Sequence, residues 1–182
     1  QARFRATTTP LDECSQGDAY WPYGFGAQGV EVTVDTMSGK VTVDKVIVAQ
    51  DVGRAVNPKL VEGQIRGAVA MGIGFALFEE YRVEEGFPLD NNFDTYRLPT
   101  CTDMPPCEVI IIEEPAPDGP FGAKGVGEPP ILATAPAIAN AVANALGVRI
   151  RQLPLTPERV LAAMANSAEQ VDGSTSPSRH QS

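Results

Sequence analysis

The run Gly119-Pro120-Phe121-Gly122-Ala123-Lys124-Gly125-Val126-Gly127-Glu128-Pro129-Pro130 holds the residue types best suited to chemistry in this chain. Glycine-rich turns ahead of a helix let backbone N–H groups converge on an anion or another electron-rich ligand. Lys124 precedes Gly125, and no Gly-Lys-Ser/Thr follows, so the run is not a phosphate-binding P-loop. Nor is it a dinucleotide fingerprint: Gly122-x-x-Gly125-x-Gly127 has the wrong order, and no clear strand precedes it. Glu128 stands at the expected mouth of the following helix, where the helix dipole favours its ionised form. A carboxylate fixed beside a glycine cradle is a candidate general base for a ligand held there. The same placement also suits a carboxylate that only caps free N–H groups. Spacing alone leaves both readings open.

Other reactive side chains offer less. The single histidine, His180, lies in a polar tail, which argues against Ser-His or Cys-His catalysis. Cys14, Cys101 and Cys107 are an odd number without CxxC spacing, so a disulfide scaffold, a zinc module and an iron–sulfur module are all disfavoured. Free thiols suit a reducing compartment, and a cytoplasmic location is expected. Asp, Glu and His show no metal-ligand spacing. Glu79-Glu80 falls at the end of a helix, where the dipole disfavours negative charge. That placement calls for a partner such as Arg82 or Arg97, or for an interface. Asp51 and Asp94 read as turn or cap residues.

The 182 residues carry a formal charge of −9, with 43% hydrophobic and 20% charged residues. That composition is globular, and the chain is long enough to bury a core without disulfides. The acidic balance and scattered Lys and Arg argue against a surface that tracks nucleic-acid phosphates. No unbroken apolar run reaches the roughly 20 residues of a membrane helix, so no span is expected. The first residue is Gln1 and no signal peptide follows, which reads as a piece of a larger polypeptide.

The elements that would position the loop follow from periodicity. Residues 1–19 are a polar, extended lead-in, and residues 20–29 are aromatic and glycine-rich. Val30, Val32 and Val34 alternate with polar residues as in a half-buried strand, and Met37-Ser38-Gly39-Lys40 makes a turn. The return strand, Val41 to Ala49, loses its parity at Asp44-Lys45, which predicts a bulge or two covered faces. Asn57 and Pro58 cap and start a long helix. Val61, Ile65, Val69, Ile73 and Leu77 form its apolar face. Gly63, Gly67, Gly72 and Gly74 cost that helix about 1 kcal/mol each relative to alanine, so close packing against another backbone is expected to offset them. Strands are predicted at Phe78–Val83 and Glu108–Glu113. A second helix carries Ile131, Ala135, Ile138, Val142 and Leu146 and ends at Gly147. Pro136 either kinks it or delays its start to Thr134. A short strand near Val148 to Leu153 and a last helix from Thr156-Pro157-Glu158 to about Ala165 complete residues 20–165. Residues 166–182 read as a mobile polar tail. The fold class is α+β, with a mixed or antiparallel sheet packed against two main helices.

Three ordered stretches resemble the molybdenum hydroxylases, the xanthine dehydrogenase and aldehyde oxidase family. Gly122-Ala123-Lys124-Gly125-Val126-Gly127-Glu128-Pro129-Pro130 is similar to the family's catalytic-glutamate motif. Tyr23-Gly24-Phe25-Gly26-Ala27-Gln28 before Glu31-Val32-Thr33-Val34-Asp35 is similar to its entry to this region. Asp51-Val52-Gly53-Arg54-Ala55-Val56-Asn57-Pro58, continued through Gly63-Gln64-Ile65, Gly72-Ile73-Gly74 and Glu79-Glu80, is similar to its glycine-rich helix. Two departures stand out: Met71-Gly72 where the family often has Gln-Gly, and Gly67-Ala68 where it has Gly-Gly.

The resemblance covers about residues 20–165 and only the C-terminal part of a larger molybdopterin-binding domain. It implies that Glu128 is the catalytic base and that Lys124, Gly125, Val126 and Gly127 border the cofactor. It also implies a molybdenum–pterin cofactor, with the cytosine dinucleotide form as one option. The reaction implied is hydroxylation of an electron-poor carbon in an N-heterocycle or aldehyde, with water-derived oxygen. Electrons would pass to [2Fe-2S] clusters and FAD in partner domains or subunits. Implied partners are the rest of the molybdenum-binding subunit, an iron–sulfur subunit, an FAD subunit and a small-molecule substrate. The competing expectations are a non-catalytic assembly module and an anion-binding domain that uses the loop for phosphate.

Overall fold

The computed structural model describes residues 8–19 and 22–173. Trp21, His180 and residues 174–182 of the expected tail lie outside the described residues. The first hairpin forms where period-2 patterning placed it. β1 (Gly26–Val34) pairs antiparallel with β2 (Val41–Asp51). Asp35 closes the turn between them, with its carboxylate accepting from Met37 N–H and Ser38 Oγ–H at 2.9 and 2.7 Å. The predicted bulge is present. Glu31 faces Lys45 but Val32 faces Val43, so Asp44 is the extra residue. That insertion lets Val43 and Val46, three positions apart, both face the core.

Asn57 caps α1 (Pro58–Leu77) by accepting the Leu60 N–H at 3.2 Å. α1 is long and apolar enough, by length and composition, to cross a membrane. Its apolar stripe of Val61, Ile65, Val69 and Ile73 is buried in the core of this fold. After α1 the chain makes a small hairpin, β3 (Val83–Glu84) with β4 (Phe87–Pro88), and then β5 (Cys107–Ile112). β5 pairs parallel with β2, giving the mixed order β1-β2-β5. Arg66 donates to the Cys107 carbonyl at 2.7 Å and ties α1 to the start of β5. Val109 and Ile111 meet the core, whereas Ile110 and Ile112 on the opposite face are nearly half exposed.

α2 (Thr134–Leu146) starts at Thr134, so Pro136 lies in the first turn where its missing N–H is harmless. Gly147, at φ 71°, ends it in the left-handed conformation. Ile138 and Val142 from α2 join Val46, Val48, Ile65, Val69 and Ile73 in the core. α3 (Pro157–Gly173) adds Val160 and, just ahead of it, Leu155 is also buried.

Three local expectations are corrected. Phe78–Arg82 is not a strand, and only Val83 of the expected segment pairs, at the start of β3. Phe78 and Glu79 N–H both turn back to the Gly74 carbonyl, at 2.9 and 2.8 Å. Val148–Leu153 is also not a strand. After Gly147 it is irregular until the Leu155 N–H docks on the Ala76 carbonyl at 2.6 Å. α3 continues to Gly173, past Ala165 where the helix was expected to stop.

The helix glycines divide into two pairs. A Cβ on Gly72 would lie 2.3 Å from the Thr134 Cβ, and one on Gly74 would meet the Glu79 carboxylate and Pro99. The close neighbours are therefore side chains rather than the backbone the sequence suggested. A Cβ on Gly63 or Gly67 meets nothing within 4 Å. Gly63→Ala and Gly67→Ala are each expected to stabilise the chain by about 1 kcal/mol, and Gly72→Ala to destabilise it. Urea unfolding of the three variants checks this ordering.

Candidate functional site

The glycine loop is fastened to the end of β2. The Lys124 N–H donates to the Val52 carbonyl and the Arg54 N–H to the Gly122 carbonyl, both at 2.9 Å. The Gly122 carbonyl also accepts the Ala116 N–H at 3.0 Å. Gly53 lies between these bonds at φ 63°, with room only for hydrogen: a Cβ there would be 2.3 Å from the Gly122 oxygen.

Beneath the loop lies a pair that the sequence did not reveal. Lys124 Nζ donates to Asp51 Oδ2 at 2.6 Å, and the two side chains are only 9% and 5% exposed. Asp51 Oδ1 accepts the Gly53 N–H at 2.9 Å, so the turn role read from sequence is real but incomplete. Burial opposes ionisation of Asp51. The Lys124 ammonium and the Gly53 N–H outweigh it and hold the carboxyl below the ordinary carboxylate value. Phe25, Ile112 and Glu114 join the pair in lining a cleft.

A carboxyl whose folded pKa lies below its unfolded value adds stability that is present above the unfolded value and lost as pH falls through the folded one. For Asp51 the unfolded value is 3.8. Stability is therefore expected to fall on acidification below about pH 4, and Asp51→Asn to flatten that part of the curve. Urea midpoints across this range test it, and an unchanged acid slope in Asp51→Asn would contradict it.

On the other side of Glu128 a second set of bonds holds the chain. Gln28, on β1, donates its amide N–H to the Pro130 carbonyl, and its amide oxygen accepts from Thr134 Oγ1 at 2.8 Å. The Thr134 hydroxyl also lies 3.3 Å from the Pro130 carbonyl. Thr134 and Pro130 are buried.

Between these fastenings the chain is free. Among the described residues, no acceptor meets the N–H groups of Gly125, Val126, Gly127 or Glu128. Gly125, Gly127 and Glu128 are exposed, while Val126 packs against the core and orients the segment. A Cβ on Gly125 or Gly127 meets nothing within 4 Å, so nothing within this chain demands glycine there.

Glu128 does not cap. It precedes a single 3-10 turn, Pro129–Ile131, with no side-chain hydrogen bond to it, and α2 begins only at Thr134. The helix-mouth position expected from sequence is therefore corrected, and with it the benefit of a long helix dipole. Its carboxylate has no hydrogen-bond or ion-pair partner among the described residues.

The sequence-predicted residues thus form one loop, but Lys124 turns inward and its charge is neutralised by Asp51. Glu79 and Glu80 take partners other than Arg82 or Arg97. Tyr96 donates its hydroxyl to Glu79 at 2.6 Å, and Arg159 meets Glu80 at 2.5 Å. Arg82 instead grips the buried Asp90 with two side-chain bonds of 2.7 and 2.8 Å. No cluster of three or more metal-ligating side chains forms among the described residues. What the exposed span offers a cofactor is a row of backbone donors and one carboxylate, which suits a group rich in oxygen and sulfur acceptors.

Residues 1–105 match the family described as "Molybdopterin cofactor-binding domain". The chain is 43% identical over 141 residues to the xanthine dehydrogenase molybdenum-binding subunit of Escherichia coli O157:H7, covering 76% of this chain and 19% of that protein. It is 39% identical over 156 residues to the aldehyde oxidoreductase of Megalodesulfovibrio gigas, covering 81% of this chain and 16% of that protein. The crystal structure of the Desulfovibrio desulfuricans aldehyde oxidoreductase superposes with a TM-score of 0.82 at 39% identity, over 87% of this chain and 17% of that one. The chain therefore spans less than a fifth of the length of these relatives. It belongs to the molybdopterin cofactor-binding domain family and is homologous to part of the molybdenum-binding subunits of xanthine dehydrogenase and aldehyde oxidoreductase type.

Proposed function

We propose that the chain is the C-terminal catalytic portion of a molybdenum hydroxylase and delivers Glu128 as its general base. The observation that supports this most is the span Gly125–Glu128, exposed, without internal acceptors for its N–H groups, yet fastened on both sides to the sheet. The molybdenum–pterin group, when bound, supplies the oxygen-transfer and electron-accepting chemistry. The N–H groups of Gly125, Val126 and Gly127 would hold it as donors to its acceptor atoms, and the two glycines would leave room for it on the backbone. Val126 anchors the span from below. The Glu128 carboxylate takes the proton from the water-derived oxygen nucleophile, for which it must be ionised and unpaired.

The substrate is an electron-poor carbon in a purine-like N-heterocycle or an aldehyde. The [2Fe-2S] and FAD groups in partner domains or subunits would accept the electrons. Phe121 at 85% exposure and Leu132 at 73% flank the loop and suit contact with the rest of the subunit. We place the complex in the cytoplasm, in keeping with the three free cysteines.

Gly125→Ala is expected to leave the unfolding free energy within about 0.5 kcal/mol, because its methyl group meets no atom of the chain. The assembled enzyme is expected to lose molybdenum on the same change. Metal analysis beside urea unfolding separates the two effects. The function itself is tested by purifying the native complex and assaying metal and turnover on purines, other N-heterocycles and aldehydes. Stoichiometric molybdenum with larger partners and turnover of one class is expected. A metal-free chain without partners would contradict it.

A further inference from the structure

The two fastenings that flank Glu128 come from the same piece of the fold. Asp51 ends β2, and Gln28 lies on β1 opposite Val48. The Lys124 side chain reaches Asp51 across 73 positions of sequence, and Thr134 reaches Gln28 across 106. The side chains of the first pair are 9% and 5% exposed, and the second centres on the buried Thr134 and Pro130. Only residues 125–129 hang between Lys124 and Pro130. Within that span Val126 packs against the core and Glu128 is exposed, so the bonds at the span's ends set where the Glu128 carboxylate lies.

Building on the reading of Glu128 as base, we propose that Asp51 and Gln28 are positioning residues for it, with the β1–β2 hairpin acting as the frame. Lys124 belongs to this frame. Its ammonium locks the loop to Asp51 and makes no contact with the reacting groups. Misplacement of a catalytic group by about 1 Å can cost as much as 100-fold in rate. Loosening either end of the span therefore lowers turnover without removing any group that touches substrate.

The test uses the assembled holoenzyme. Asp51→Asn, Gln28→Leu, Glu128→Gln and the doubles Asp51→Asn/Glu128→Gln and Gln28→Leu/Glu128→Gln are assayed for kcat, KM and molybdenum content. Asp51→Asn and Gln28→Leu are each expected to lower kcat by about 10- to 100-fold, with KM and molybdenum content close to the parent. Neither is expected to lower the residual rate further in the Glu128→Gln background, because each acts through that carboxylate. Gln28→Leu leaves no buried charge unpaired, so it carries the test should Asp51→Asn fail to assemble. Normal kcat in the single variants would overturn the proposal. So would a loss matched by loss of molybdenum, or a further loss in the Glu128→Gln background. Full activity in Glu128→Gln itself would instead overturn the assignment of the base, a separate result read from a separate variant.

Discussion

Glu128→Gln in the assembled enzyme is expected to lower kcat by about 100-fold or more, with molybdenum content near that of the parent. Glutamine keeps the size of the side chain and removes its charge and its ability to take a proton. Because the Glu128 carboxylate has no hydrogen-bond or ion-pair partner among the described residues, the change breaks no bond inside this chain. The backbone donors from Gly125 to Glu128 are untouched, so cofactor retention has no reason to fall. A general base contributes about 100- to 10,000-fold to a rate, and that is the size of loss to look for in steady-state turnover. A glutamate that only capped the following turn would give a loss of stability and none of rate. Retained turnover with normal metal would remove Glu128 from the role of base.

The second large effect belongs to Gly53. Gly53→Val places a branched side chain where a Cβ alone would come within 2.3 Å of the Gly122 oxygen and 2.8 Å of the Lys124 nitrogen. The obstacles are backbone atoms, which cannot swing aside as a flexible side chain can. The residue also holds φ 63°, a conformation costing a non-glycine residue about 1–2 kcal/mol. Relieving the clash means lifting residues 122–124 off β2 and losing the bonds from the Lys124 N–H to Val52 and from the Arg54 N–H to Gly122. Each such bond is worth about 1 kcal/mol net. Together these terms give a destabilisation of about 3–4 kcal/mol, measurable as a shift in urea midpoint at unchanged slope. An effect below about 1 kcal/mol would show that the loop is not fastened to β2 as described.

Local pattern revealed most of the frame and little of what joins its parts. Asn57-Pro58 and the four-residue recurrence of Val61, Ile65, Val69 and Ile73 announce α1, because capping and amphipathicity are local properties. The lost parity at Asp44-Lys45 announces the bulge for the same reason. Phe78 and Tyr81 misled as the body of a strand: Tyr81 is 63% exposed, the backbone at Phe78 and Glu79 closes α1, and only Val83 pairs, as the first residue of β3. The polar Asn166-Ser167 resembled the end of a helix, yet α3 runs through it. The glycine loop was visible as a motif. Its attachments were not, since Lys124 finds Asp51 and Thr134 finds Gln28 only once the sheet and α2 have come together. No periodicity within a window of ten or twenty residues encodes such a pairing. The catalytic reading of Glu128 likewise came from resemblance, because an isolated Gly-Val-Gly-Glu has several ordinary uses.

The most direct test of Glu128 as base is the reductive half-reaction followed by rapid mixing without oxygen, comparing the parent holoenzyme with Glu128→Gln at equal molybdenum content. The limiting rate of cofactor reduction by substrate is expected to fall by about 100-fold or more, while the substrate concentration giving half the limiting rate stays close to the parent value. An unchanged limiting rate would contradict it.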